Sequence, residues 1–124
     1  MKILALIARL LLGLVFTVFG LNGFIHFMPM PPNLPDNVVH FITPIATTGY
    51  GFVVFGCQVI GGVLLLVGKY VPLGLVFLGP VLVNILCFHF FISHGDYAIP
   101  LFVTVLWFIV FARYRYAFRP LFQP

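Results

Sequence analysis

A chain of 124 residues that is 63% hydrophobic and only 6% charged cannot present a soluble surface, because soluble domains carry about a quarter charged residues. Six basic against two acidic side chains leave a formal charge of +4, but no basic face exists outside the C-terminal tail, which argues against nucleic acid as a partner. No nucleophile–base–orienter set, P-loop or dinucleotide fingerprint is present, so hydrolysis and phosphoryl transfer are poor assignments.

The first apolar run covers residues 3–27, broken chiefly by Arg9 and Asn22. With Lys2 before it the run imitates a signal peptide. It lacks an A-x-A-like cleavage site and three further runs follow, so it reads as a retained span. Arg9, Gly13, Thr17 and Gly20 recur at helical spacing and form a stripe that permits close helix approach in lipid. Asn22 and His26 are four residues apart and share a face.

The connection over 28–49 begins with a proline-rich stretch that cannot stay helical. From Asp36 a short surface helix is expected, capped by Asp36 and carrying Val38, Val39, Phe41, Ile42 and Ile45. Pro44 should limit it to about two turns.

The second span, 50–68, holds Gln58 near its middle and Gly61 and Gly62 as close-contact points. The third, 71–91, offers Gly74 and Gly79 for the same purpose and carries Asn84 and His89. Those two are five residues apart, about 140° on an ideal helix, so they cannot both face one neighbour squarely. Gln58 and Asn84 are expected to face the interior, because an unpaired polar group in lipid costs several kcal/mol. The fourth span, 98–112, closes at Arg113 and is short against the ~20 residues a bilayer needs. Beyond it, Arg113, Arg115 and Arg119 alternate with aromatics, as in a tail anchored at headgroups.

Threading four spans puts Lys2, Arg9, Lys69, Arg113, Arg115 and Arg119 on one side of the membrane. His26, His40, His89, His94, Asp36 and Asp96 fall on the other. The positive-inside rule makes the basic side cytoplasmic and places both termini there. The expected fold is all-α: one domain over 1–124, an integral-membrane antiparallel four-helix bundle with a short surface helix between the first two spans.

The intramembrane polar residues admit two readings. They fix the bundle by interhelical hydrogen bonds, or they line a pocket made of Asn22, His26, Gln58, Asn84 and His89. Such a pocket suits a quinone headgroup, which needs one or two donors and apolar walls, and the 16 phenylalanines supply walls. Haem held by His26 and His89, or zinc or copper held by His26, His89, His94 and Asp96, are weaker fits. His40 and His94 read as exposed loop residues. Cys57 and Cys87 lack the C-x-x-C spacing of a disulfide exchanger and read as two buried thiols acting as small apolar residues.

Three segments, ARLLLGLVFTVFGLNG from Ala8, QVIGGVLLLVG from Gln58 and VNILCFHFF from Val83, together resemble the DoxX family in order and spacing. The resemblance covers most of the chain. It implies a small four-helix protein of the bacterial inner membrane, and some relatives are linked to thiosulfate:quinone oxidoreduction or to membrane oxidoreductase assemblies. Arg9, Asn22, Gln58, Asn84 and His89 are the matching positions, and many relatives carry an acid where this chain has Gln58. The expected function is a quinone-associated subunit of a membrane redox system, with Asn22, His26 and His89 donating to a quinone carbonyl and Gln58 and Asn84 orienting them. The alternative is a non-catalytic accessory subunit that packs against other membrane subunits through its glycine faces and basic tail.

Overall fold

A computed structural model of the chain describes residues 2–25, 33–95 and 97–123. Secondary structure among these residues is entirely helical: α1 (Lys2–Ile25), α2 (Asp36–Thr47), α3 (Tyr50–Val67), α4 (Val71–Cys87) with a π-helical continuation (Phe88–Ser93), and α5 (Ala98–Tyr114) with a 3₁₀ continuation (Arg115–Phe122). Four segments, Lys2–Ile25, Tyr50–Val67, Val71–Ser93 and Ala98–Phe122, are long and apolar enough to cross a membrane. By length and composition the chain is a multi-pass membrane protein. His26, most of the proline-rich stretch and Asp96 lie outside the described residues.

The glycines decide how closely these helices meet. A Cβ on Gly13 of α1 would lie 2.8 Å from the Gly62 carbonyl oxygen of α3, and one on Gly20 would lie 2.8 Å from Val59 Cγ2. Gly61 of α3 meets α4 in the same manner, its Cβ position falling 2.7 Å from Leu78 and 3.0 Å from the Gly74 oxygen. Without side chains at these points the backbones approach until dispersion replaces the lost lipid contact. Above the seams a core forms from Ala8, Leu12 and Phe16 of α1, Leu65 of α3, Leu75, Leu78 and Leu82 of α4, and Val103, Leu106 and Val110 of α5. Outward-facing Leu, Ile, Val and Phe side chains remain exposed along every span, as a lipid-facing surface requires.

Arg9 and Trp107 each join two of the spans by a hydrogen bond. Arg9 donates from Nη1 to the Leu65 carbonyl at 2.9 Å, in the last turn of α3 where carbonyls lack intrahelical donors. Trp107 of α5 donates from Nε1 to the Leu75 carbonyl at 3.2 Å. Between α3 and α4 the chain turns tightly on Gly68 at φ 80° and Tyr70 at φ 55°, with the Gly68 N–H donating to the Leu64 carbonyl.

The surface helix and the fourth span depart from expectation. The surface helix runs from Asp36 to Thr47, past Pro44. The Thr47 and Thr48 hydroxyls donate to the Thr43 and Pro44 carbonyls at 2.6 and 2.5 Å, reinforcing the last turn. His40 accordingly lies on α2 rather than in a loop, exposed as expected. Asp36 makes no capping bond; Pro35 is the cap, and its carbonyl accepts from the N–H groups of Val38 and Val39. The fourth span is not short, because α5 reaches Tyr114 and the 3₁₀ continuation carries the helix to Phe122. Phe118 is buried, its ring 5.0 Å from that of Phe111, so the 3₁₀ continuation packs one aromatic against the end of α5 while Arg115 and Arg119 stay exposed.

Candidate functional site

All four spans contribute to one cavity of about 570 Å³. Val15, Phe16, Phe19 and Asn22 line it from α1, Phe55 and Gln58 from α3, Ile85 and His89 from α4 and its continuation, and Ala98, Ile99, Pro100 and Val103 from α5. Phe19 and Ile99 are exposed, so the cavity reaches the outer surface of the bundle between α1 and α5. Its size falls within the ~300–1,000 Å³ of small-molecule sites. The walls are apolar and aromatic, with three polar side chains among them.

Gln58 is the central one. It is 7% exposed, the only buried polar side chain among the described residues, and its carboxamide makes no hydrogen bond to any described residue. Gly20 of α1 lies close against its Cβ, and the side chain lines the cavity. Its amide atoms are not themselves buried; they open onto the cavity.

His89 is positioned by the π-helical segment. Its Nδ1 is 2.9 Å from the Ile85 carbonyl oxygen. A carbonyl only accepts, so Nδ1 carries the proton and Nε2 is left for the cavity. In the neutral ring Nε2 is an acceptor; only the imidazolium donates from it. Phe88 stands edge-on to the imidazole at 5.1 Å and itself packs on Phe41 of α2, also at 5.1 Å. α2 is tied to the same segment by Asn37, whose Nδ2 donates to the Ile92 carbonyl at 2.6 Å. Asn37 escaped the sequence reading, since a polar residue in the first turn of a surface helix looks solvated; its partner is 55 positions away.

Of the five residues expected at the pocket, the structure brings Asn22, Gln58 and His89 together. His26 lies outside the described residues. Asn84 does not face inward as expected: it is exposed, and its Nδ2 donates to the Pro80 carbonyl one turn back at 2.9 Å. The angular offset from His89 explains this, because turning His89 inward turns Asn84 out, and a bond to its own helix removes part of the cost. Among the described residues neither Gln58 nor Asn84 makes a hydrogen bond to another helix. The thiols also depart from expectation, for Cys57 is half-buried and Cys87 is exposed, both free. Among the described residues no three of His, Cys, Asp and Glu come together as metal ligands.

No family model, curated protein or solved structure matches this chain.

Proposed function

We propose that this is a DoxX-like protein of the bacterial inner membrane, an antiparallel four-helix bundle with cytoplasmic termini, whose cavity holds a quinone headgroup as part of a membrane redox system. The carrying observation is Gln58, a buried residue whose carboxamide has no partner among the described residues and opens onto an apolar cavity that reaches the bundle surface. A ligand carbonyl there accepts from the Gln58 amide, a donor that an otherwise apolar wall leaves available. The residues fit both oxidation states of such a group. Gln58 and Asn22 carry amide donors for a quinone carbonyl, whereas His89, with Nδ1 committed to Ile85, accepts a hydroxyl proton of the quinol at Nε2. This reverses the donor role expected of His89 and moves Gln58 from an orienting part to direct contact. Asn84 takes no part. The quinone supplies two-electron redox chemistry when bound; the chain's own residues bind, orient and accept the proton. The opening between α1 and α5 admits an isoprenoid tail from the lipid side.

The test is purification in mild detergent, with an absorption spectrum and mass spectrometry of co-extracted lipids. Wild-type protein should carry stoichiometric quinone, and Gln58→Leu together with His89→Leu should lose it by about tenfold or more while keeping the helical spectrum, as expected when a site's few hydrogen bonds are removed. Quinone retained undiminished in that variant would sink the assignment, and a Soret band would replace quinone with haem.

A second reading, an accessory subunit, has its own support in Asn84. This carboxamide is exposed near the middle of the Val71–Ser93 span, where lipid offers nothing to its remaining donor and acceptor. The glycine faces first assigned to partner contact are spent inside the bundle, so a partner would cover the outer face of α4 instead. Co-purification of a membrane protein that is lost on Asn84→Leu, with no quinone present, would select this reading.

A further inference from the structure

A second concavity, of about 180 Å³, lies where the start of α1 meets the end of α5. It is lined by Lys2, Ala5, Leu6, Arg9, Arg113 and Tyr114. Three of these six are cations, and no carboxylate accompanies them: the one described acid, Asp36, opens α2, which packs on α3 and the π-helical segment. Three like charges converging on a small recess repel one another, and an anion in the recess reverses the sign of that interaction.

Arg9 shows that the recess is built. Its guanidinium is fixed from below by donation to the Leu65 carbonyl and is wedged against Gly68, where any side chain would strike it. One Nη1–H is consumed by that bond. The others keep the planar fork that matches the oxygens of a phosphate. Arg113 and Lys2 are exposed and reach the recess from α5 and α1, and the Tyr114 hydroxyl adds a neutral donor.

We infer that this recess binds the phosphate of an anionic phosphodiester, Arg9 and Arg113 clamping its oxygens and Lys2 balancing its charge. The volume admits a phosphate and a short ester arm and nothing larger. Leu6 lies at the wall and is exposed, as are Ile3 and Leu10 beside it on α1, so an apolar track leads from the recess along the lipid-facing surface. That continuity favours a phospholipid over a free phosphate compound as the source. The inference stands independently of the quinone proposal, since the two cavities share no residue.

The experiment uses the full chain in nanodiscs of phosphatidylcholine with a minor fraction of phosphatidylglycerol, with bound lipid counted by native mass spectrometry. Wild type should retain phosphatidylglycerol stoichiometrically. Lys2→Gln with Arg113→Gln should lower retention about tenfold or more, following roughly 1 kcal/mol per cation. Arg115→Gln with Arg119→Gln removes the same charge outside the recess and should leave retention unchanged. Arg9 is spared because it also caps α3. Equal losses in the two double variants would mean diffuse attraction and overturn the site, as would no loss in either. A second arm adds inorganic phosphate to phosphatidylcholine discs. A thermal shift there that depends on Lys2 and Arg113, without phosphatidylglycerol retention, would keep the phosphate site and assign it to a soluble ligand.

Discussion

Thr17 carries the one described buried side-chain oxygen or nitrogen with neither a hydrogen-bond partner nor exposure. It sits in the α1–α3 seam against Gly62, where no other helix offers a donor or acceptor. Thr17→Val keeps the shape and removes the polar atom, so it should leave the protein unchanged or stabilise it by about 1 kcal/mol, read from thermal or denaturant unfolding in detergent. A loss above that size would mean the hydroxyl has a role that packing does not show. Gln58 is the instructive contrast: equally unpaired, but facing a cavity instead of a seam. From the sequence both were polar residues in apolar spans, and Gln58 was correctly expected inside. Asn84, under the same physical argument, was expected inside and is not. The cost of an unpaired amide applies to both, but a carboxamide one turn beyond a carbonyl can satisfy part of it on its own helix, and composition does not reveal that choice.

At the scale of elements, the stripe from Arg9 to Gly20 was legible because glycine spacing has a direct packing meaning in lipid, and the seam is where that spacing put it. It became an internal seam rather than an interface for another subunit, which also alters what mutations there can report. Gly62→Ala would drive a methyl into Thr17 and the Gly13 backbone, 2.9 Å from its carbonyl oxygen, and backbone cannot yield as a side chain would. A destabilisation of about 1–3 kcal/mol is expected in unfolding measurements. Gly56→Ala, on the same helix, meets nothing within 4 Å and should gain up to about 1 kcal/mol from helix propensity. If the two variants behave alike, the close approach of α1 and α3 is wrong. The π-helical turn at Phe88–Ser93 was not legible at all. It contains no proline or glycine; α2 bonds its Ile92 carbonyl through Asn37, and His89 bonds the Ile85 carbonyl before it. π-turns of this sort often accompany functional positions, and this one carries the cavity's histidine.

For the whole molecule, the proposed topology has a direct check. Reporter fusions after residue 123 and within the connection over 94–97 should report opposite sides of the membrane, the C-terminal one cytoplasmic. The same side for both would overturn the proposed topology. By itself the sequence determined the class and the number of spans, because lipid tolerates so few polar residues that hydropathy is nearly sufficient. It also named three of the residues that line the cavity. Only the tertiary structure decided which polar groups face inward, that the tail docks through Phe118, and that Lys2, Arg9 and Arg113 converge on one recess. Those outcomes depend on the rotation of each helix about its own axis. In a chain whose spans are apolar on every side, that rotation is set by glycine contacts and a few long-range hydrogen bonds, not by a polar face that periodicity could display.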